Sequence, residues 1–317
     1  MPIIQVQNLT KQYKNGIQAL SGLNLTVESG EIFSLLGQNG AGKTTLINIL
    51  TTYLRPTSGA ATVFGKDLYR EAAAIRSGIA CAAQRTSIDT HLSLTENMMF
   101  QSRLYSVPAA DAKQRMTNLI DCFSLGRYLK YPVSSYSGGI ARRLDIALNM
   151  MTNPKILFMD EPTTGMDIQS RMAMWDMLKK IRNEFGTTVF LTTHYLEEAD
   201  RLSDTICIMK EGREAIQGTP NSLRSYLQQD MLKISFETKE SAGAAFERLR
   251  HFHPLQPSDL RGDSIVTNSE NSRGDFGKVN RWLLEQDVRF TGIEVMQPSL
   301  DDVFIRLTED TEREGRM

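Results

Sequence analysis

Apolar and polar residues alternate near the start of the chain, as they do in strands that bury one face. Segments 4–9 and 23–27 show this alternation, and Asn15-Gly16 lies between them. Period-two alternation predicts β-strands, and an Asn-Gly pair predicts a tight turn. We therefore expect two antiparallel strands ahead of the core.

Strand-like segments come next, each followed by a segment with helical spacing. The runs 32–36, 155–159 and 187–192 have the length of buried strands. Strands that alternate with helices build a parallel sheet, so we predict an α/β core. The stretch of about 90–150 is mainly helical in pattern and is expected to form a helical insertion.

The pattern changes near 218–229, which predicts a boundary between two domains. We expect the first domain at 1–222, a small α+β domain at 230–308 and a tail at 309–317. In the small domain the pattern predicts strands near 232–236, 264–267 and 290–296, helices near 241–251 and 276–286, and a loop at 268–275.

Charge and composition exclude several classes of protein. The 36 basic and 37 acidic side chains give a net charge of −1, so we expect no nucleic-acid partner. The widely spaced Cys81, Cys122 and Cys207 predict neither a disulfide framework nor a CxxC site, which fits a reducing compartment. No apolar stretch approaches the length of about 18 residues that a membrane helix needs, and the start does not resemble a secretory signal. We therefore expect a cytosolic protein.

A glycine-rich segment follows the predicted strand 32–36 and precedes a predicted helix. It is the first segment with candidate catalytic or binding residues. Residues 37–44 match the pattern GxxxxGK(S/T) in the strand-loop-helix context of a P-loop. The backbone N–H groups of such a loop face phosphate oxygens, Lys43 reaches the outer phosphates, and Thr44 binds Mg²⁺. An unliganded glycine-rich turn is the alternative. The candidate nucleotide-binding residues of this segment are Gly37, Asn39, Gly40, Gly42, Lys43, Thr44 and Thr45.

Two carboxylates follow the apolar run 156–159, at the edge where parallel sheets present their chemistry. We expect Asp160 to support Mg²⁺ and Glu161 to polarise the attacking water of a phosphoryl transfer. A helix cap is the alternative for this acidic pair. His194 follows the next strand, so we expect it beside Glu161 and near the γ-phosphate, with a purely structural histidine as the alternative.

The segment 136–140, Tyr-Ser-Gly-Gly-Ile, precedes a helix and offers a second anion site. It resembles the LSGGQ signature of the ATPases of ABC transporters. The resemblance implies a P-loop NTPase with a RecA-like core, an antiparallel β subdomain and a helical subdomain, which binds ATP and Mg²⁺. It also implies that two chains dock head to tail, so that Ser137, Gly138 and Gly139 complete the partner's site. Tyr136 and Ile140 replace the Leu and Gln of the common signature, which leaves the side-chain detail of that contact open.

The resemblance covers about residues 3–219 and implies roles for three further side chains. Tyr13 stacks on adenine, Gln84 lies near Mg²⁺ and the permease, and Asp167 belongs to the D-loop. A core aromatic is the alternative for Tyr13, and a solvated amide is the alternative for Gln84. The implied partners are a second ATP-binding chain, as homodimer or heterodimer, and a separate integral-membrane permease. This arrangement implies a location at the cytoplasmic face of the cell membrane.

Residues 297–308 resemble the PSLEDVFL-type tail of the daunorubicin-resistance class of ATPases. This resemblance implies an exporter subunit that powers efflux of a drug, antibiotic or lipid-like substrate. A helix capped by Ser299 and Asp302 is a structural interpretation that is compatible with it. The alternative function is an ABC ATPase with a regulatory or non-transport role, for example on ribosomes or DNA. Relatives of that last kind resemble tandem ATPases or coiled-coil proteins, and this sequence has neither feature.

Overall fold

The structure is a computed structural model, and it describes residues 2–83, 86–227, 230–250, 257–269 and 272–314. The chain divides into two units, Met1–Pro220 and Asn221–Met317. The division lies near the expected end of the first domain, and the limits given in the sequence analysis stay a prediction.

The first unit contains most of the strands and helices. Its strands are β1 (Pro2–Gln12), β2 (Gln18–Glu28), β3 (Ile32–Leu36), β4 (Ser58–Val63), β5 (Lys66–Asp67), β6 (Ile79–Ala82), β7 (Ile156–Asp160), β8 (Thr188–Thr193), β9 (Thr205–Lys210) and β10 (Arg213–Gly218). Its helices are α1 (Lys43–Leu50), α2 (Ala72–Arg76), α3 (Leu94–Leu104), α4 (Ala109–Cys122), α5 (Gly138–Met150), α6 (Ile168–Phe185) and α7 (Leu196–Leu202), and α8 (Pro220–Ser225) begins at its end.

The main sheet confirms the predicted α/β core. Its order is β10-β9-β3-β8-β7-β6, and every pair is parallel except the β9–β10 hairpin. Alternate residues of the central strands enter two separate hydrophobic clusters. Phe33, Phe158 and Phe190 pack in one cluster, while Leu157 and Leu191 enter the other. The strands are therefore buried on both faces, as is typical of a parallel sheet covered on each side.

A second sheet, β2-β1-β4-β5, is antiparallel, which confirms the two strands predicted near the N-terminus. The strand β4 was not predicted from the sequence, because its small residues show no alternation. Gly59 explains part of that composition. A Cβ at Gly59 would lie 2.3 Å from the carbonyl oxygen of Asn8, and its φ of +86° favours glycine. The close approach of β4 to β1 therefore requires a residue without a side chain.

The expected helical insertion lies between β6 and β7 and contains α3, α4 and α5. A capping box formed by Ser93 and Glu96 starts α3, and Pro108 is the N-cap of α4. Their apolar faces join the hydrophobic cluster that also receives Leu157 and Leu191 from the sheet. Throughout the part of the chain that the structure describes, none of the helices has both the length and the apolar character needed to cross a membrane.

The second unit has the α+β composition expected from its sequence. Its elements are β11 (Asp230–Ser235), α9 (Lys239–Leu249), β12 (Pro257–Arg261), β13 (Ser264–Ser269), α10 (Ser272–Glu285), β14 (Gly292–Met296) and α11 (Leu300–Glu314). The sheet is antiparallel with the order β12-β13-β11-β14. The predicted cap of α11 is confirmed: Ser299 N donates to Asp302 Oδ2 at 2.8 Å, and Asp302 N donates to Ser299 Oγ at 3.2 Å.

One expectation for this unit is wrong. The stretch 268–275 is largely regular rather than a loop, because β13 extends to Ser269 and α10 begins at Ser272. Two of its polar residues bond to each other: Ser269 Oγ donates to Asp275 Oδ2 at 2.7 Å, and both side chains are buried. Polarity there reflects an internal hydrogen bond, not exposure to water. The last helix, α11, extends to Glu314 and so includes part of the expected tail at 309–317, whose limits stay a prediction.

Candidate active site

The loop between β3 and α1 contains the glycine-rich segment. Gly40 and Gly42 have φ values of +86° and +104°, which other residues rarely adopt. A Cβ at Gly42 would also lie 2.4 Å from the carbonyl oxygen of Ala19, and one at Gly37 would lie 2.6 Å from that of Met209. The loop can therefore follow this path only with glycines. Asn39 lies exposed in the same loop.

Lys43 opens α1 and turns its side chain back into this loop. Its Nζ donates to the carbonyl oxygens of Gly37 at 2.7 Å and Gln38 at 3.1 Å. The same nitrogen lies 3.7 Å from Glu161 Oε1, and the side chain is only 5% exposed. Burial lowers the pKa of Lys43, while Glu161 and Asp160 act in the opposite direction. The two carboxylates thus favour the ammonium form that phosphate binding requires.

Asp160, the last residue of β7, is held from two sides by hydroxyl groups. Thr44 Oγ1 donates to Asp160 Oδ2 at 2.8 Å, and Thr192 Oγ1 donates to Asp160 Oδ1 at 2.5 Å. The carboxylate therefore joins the start of α1 to β8. The sequence analysis missed Thr192. A threonine at the buried carboxyl end of a strand next to β7 is the signal that could have identified it.

Glu161 follows in a turn with an unusual backbone conformation. Its φ is +48°, a region that few residues other than glycine occupy and that is often found at functional sites. The turn is held because Glu161 N donates to the carbonyl oxygen of Thr192 at 3.1 Å. Glu161 Oε1 lies 3.3 Å from His194 Nδ1, and Oε2 accepts from Thr164 Oγ1 at 3.2 Å. Lys43 and His194 therefore flank one carboxylate oxygen.

The residues around Asp160 also fit a bound Mg²⁺. Mg²⁺ prefers oxygen ligands and usually combines one or two protein groups with phosphate oxygens and water. The hydroxyl of Thr44 and the carboxylate of Asp160 supply such oxygens at a separation of 2.8 Å. Within the described ranges no group of three or more His, Cys, Asp or Glu side chains is arranged to hold a metal ion. These oxygens are thus suited to a metal that arrives with its nucleotide.

The Ser-Gly-Gly segment lies at the start of α5, with Ser137 as N-cap and Gly138 as first helical residue. The Ser137 hydroxyl makes no capping hydrogen bond. Gly139 is in close contact with α6, since a Cβ there would lie 2.8 Å from Ser170 Oγ. Asp167 caps α6 by accepting from Ser170 N at 2.8 Å. The signature segment and the loop of Asp167 are therefore neighbours within one chain.

These two segments and Glu161 line an open cavity of about 670 Å³. The cavity has polar groups from three elements: Ser137 before α5, Asp167 before α6 and Glu161 after β7. Lys43 and Thr44 are absent from its lining, although Lys43 Nζ lies 3.7 Å from Glu161 Oε1. Glu161 thus both contacts the P-loop lysine and lines the cavity beside the signature segment.

Tyr13 lies next to the P-loop helix. Its hydroxyl is 3.2 Å from Thr45 Oγ1, and its side chain is 37% exposed. That exposure does not fit a core aromatic. Lys11 Nζ lies 5.4 Å from the ring centroid. Gln84 lies outside the described residues.

The P-loop, the helical insertion between β6 and β7 and the Ser-Gly-Gly segment that starts the last helix of that insertion occur together in this unit, and this combination defines the class of ATP-binding cassettes. A family model described as ABC transporter matches residues 20–164. The chain is 40% identical over 310 residues to the daunorubicin/doxorubicin resistance ATP-binding protein DrrA of Streptomyces peucetius, which covers 96% of this chain and 92% of the relative. It is 32% identical to the Nod factor export ATP-binding protein I of Sinorhizobium fredii, covering 96% of this chain and 85% of that one. The chain belongs to the ATP-binding proteins of the ABC transporter family, and it is an ATPase.

Solved structures agree with this assignment. An ATP-binding subunit of an ABC transporter aligns with a TM-score of 0.63 and 26% identity, covering 71% of this chain and 93% of that one. An ATP-binding cassette solved as a dimer bound to ADP and Pi aligns with a TM-score of 0.59 and 27% identity, covering 68% and 98%. The fold of the first unit is therefore that of known ATP-binding cassettes, as the sequence analysis expected.

Replacing Thr192 with valine tests whether the Thr192 hydroxyl holds the Asp160 carboxylate in place. We expect Thr192→Val to lower kcat for ATP hydrolysis by about 10-fold or more and to raise the Mg²⁺ concentration needed for half-maximal rate, because residues that hydrogen-bond metal ligands have effects of this size. The measurement is phosphate release under a Mg²⁺ titration.

Thr188→Val is the matched control. Thr188 is buried at the other end of β8, where its Oγ1 accepts from Gly30 N at 2.8 Å. We expect it to lower stability by about 1 kcal/mol without a change in the Mg²⁺ requirement. An equal Mg²⁺ effect in both variants would contradict a specific role for Thr192.

Proposed function

We propose that this chain is the ATP-hydrolysing subunit of an exporter and powers efflux of a drug, antibiotic or lipid-like substrate through a separate integral-membrane permease. The proposal rests on how much of a known resistance protein this chain matches. The chain covers 92% of a protein named for daunorubicin and doxorubicin resistance. A relative named for Nod factor export is also similar over nearly the whole chain. The similarity thus includes the second unit, whereas the alignments with solved ATP-binding cassettes cover 68–78% of this chain.

In the proposed reaction Glu161 is the general base that orients the attacking water. Lys43 Nζ at 3.7 Å and His194 Nδ1 at 3.3 Å hold its Oε1 in one orientation. Lys43 and the backbone N–H groups of the P-loop bind the phosphates, and His194 contacts the outer phosphate. Fixed charges and hydrogen-bond donors of this kind are most of what phosphoryl transfer requires from a protein.

We propose that Thr44 and Asp160 hold Mg²⁺, with Gln84 as a further ligand, and that Tyr13 stacks on adenine. When bound, Mg²⁺ neutralises charge on the phosphates. The 2.8 Å contact between Thr44 and Asp160 supports the first part of this proposal. The exposed ring of Tyr13 beside Thr45 supports the second.

The signature segment is proposed to act on the ATP of a second chain. Ser137, Gly138 and Gly139 line a cavity with Glu161 and Asp167, away from Lys43 and Thr44. In a two-fold symmetric pair every contact occurs twice, so a pair in which one P-loop faces the partner's signature segment has two such composite sites. The pair is a homodimer or includes a second ATP-binding subunit.

The chain is proposed to reach the cytoplasmic face of the membrane through its permease. Its net charge of −1 provides no general attraction to an anionic lipid surface. A specific protein contact is therefore the favoured mode of attachment.

Glu161→Gln tests the assignment of the base. We expect turnover to fall by about 10²- to 10⁴-fold, because a general base contributes that much, while ATP still binds and holds two chains together. Phosphate release measures turnover, and size-exclusion chromatography in Mg-ATP measures the dimer. Glu197→Gln is the control, since Glu197 is exposed and paired with Arg201. Wild-type turnover without a stable dimer in Glu161→Gln would show that Glu161 is not the base.

A mixing experiment tests whether sites are shared between chains. Lys43→Ala and Ser137→Ala are each expected to be inactive alone. In their mixed dimer one site combines an intact Lys43 with an intact Ser137 of the other chain. Random pairing then gives activity up to about a quarter of the wild type. No activity in the mixture, despite formation of mixed dimers, would contradict the shared site.

Copurification and transport test the proposed export. We expect the tagged chain, extracted from native membranes in mild detergent, to carry an integral-membrane protein. Cells that express both proteins are expected to accumulate less daunorubicin than cells with the Glu161→Gln chain. Recovery of ribosomes or nucleic acid in place of a membrane protein would favour the non-transport role.

A further inference from the structure

Glu198, on α7, is a fully buried carboxylate outside the set of residues assigned above. Its exposed fraction is 0%. Its Oε1 accepts from Thr163 Oγ1 at 2.8 Å and from Trp175 Nε1 at 3.0 Å. Its Oε2 is also buried and has no hydrogen-bond partner among the described residues. One oxygen atom therefore makes both bonds.

The two donors come from different segments of the chain. Thr163 is in the turn that begins with Glu161, and its own side chain is fully buried. Trp175 lies in α6, well beyond the cap formed by Asp167. Glu198 itself lies one turn along the chain from His194, in the helix that starts directly after Tyr195. The bond from Thr163 thus connects the turn of Glu161 with the helix that follows His194.

Packing alone does not explain a carboxylate at this position. Burial of a carboxylate costs free energy, and an oxygen of a neutral side chain could accept the same two bonds at a lower cost. A carboxylate oxygen makes shorter and stronger hydrogen bonds than a neutral oxygen does. Such bonds limit the freedom of Thr163 relative to α7.

We propose that Glu198 is a positioning residue for ATP hydrolysis: by fixing Thr163 against α7 it keeps His194 Nδ1 in contact with Glu161 Oε1. That contact measures 3.3 Å, and Glu161 reaches it from a backbone with φ of +48°. A turn in that conformation needs outside support to persist. Glu198 supplies this support from α7, the helix that follows and positions His194. The inference rests on the proposed roles of Glu161 and His194.

The two donors allow a test in which each bond is removed separately. Thr163→Val removes the bond that leads to Glu161, and Trp175→Phe removes the bond that leads to α6. Both variants lose one buried hydrogen bond to the same oxygen, so a purely structural role predicts similar effects on the two. The full-length chain is assayed by steady-state hydrolysis of Mg-ATP, with ATP affinity measured separately.

We expect Thr163→Val to lower kcat by about 10-fold or more with KM within about twofold, since small displacements of reacting groups have large effects on rate. Trp175→Phe is expected to keep kcat within about twofold of the wild type. Glu198→Gln is expected to lower kcat less than Thr163→Val does, because its amide oxygen can still accept both bonds but accepts them more weakly than a carboxylate oxygen. Thr163→Ser, which keeps the hydroxyl, is expected to match the wild type.

Equal losses of kcat in Thr163→Val and Trp175→Phe, or an unchanged kcat in Thr163→Val, would overturn the proposal. A rise in KM as the main effect would do the same, because it would indicate a defect in binding. Thr163→Ala removes the same hydroxyl with less steric demand, and it replaces Thr163→Val in the comparison if the valine variant does not fold. Glu161→Gln is assayed in parallel: normal turnover in that variant refutes the base assignment, whereas the Thr163 and Trp175 pair tests Glu198 alone.

Discussion

The site depends on the pairing of β7 with β8, and in particular on Asp160 lying opposite Thr192. This register brings the Thr192 hydroxyl to Asp160 and its carbonyl oxygen to Glu161 N. A shift of one residue would replace Thr192 with a neighbour whose side chain points to the other face of the sheet. Asp160 would then lose one of its two hydroxyl donors, and the turn of Glu161 would lose its backbone anchor. The geometry of the two adjacent carboxylates is therefore set by the hydrogen-bond ladder of the sheet.

Much of this arrangement could be predicted from the sequence, because its signals are local. The P-loop is a continuous motif, and β3, β7 and β8 are apolar runs long enough to identify as strands. The positions of Asp160, Glu161 and His194 follow from those strands, since parallel strands present their carboxyl ends at one edge. The contact between Glu161 and His194 is thus a geometric consequence of two local patterns.

The remaining features could not be predicted, because their signals are tertiary. In the sequence Glu198 stands beside Glu197 on a short helix and looks like part of a solvated face, yet Glu197 is exposed and Glu198 is fully buried. In the sequence nothing distinguishes Thr163 from other turn residues, and only the fold shows that its hydroxyl donates a hydrogen bond to Glu198. The prediction of a loop at 268–275 was wrong for a related reason, since Ser269 Oγ donates a hydrogen bond to Asp275 within the fold. Composition shows that a residue is polar, and only the fold shows which polar group it meets.

A buried ion pair also attaches the signature helix to the sheet. Arg142 and Asp145 on α5 are 3.1 Å apart, with side chains only 6% and 2% exposed. Arg142 donates to the carbonyl oxygens of Ala82 and Ala83 at the end of β6, while Asp145 accepts from Ser87 N at 2.9 Å. Breaking one half of such a pair would leave the other charge buried without compensation, which costs about 3–5 kcal/mol. The helix that begins after Ser137 is therefore joined to β6 by side chains as well as by the polypeptide. Since β6 pairs with β7, the helix that follows Ser137 and the strand that ends at Asp160 are parts of one continuous hydrogen-bonded structure.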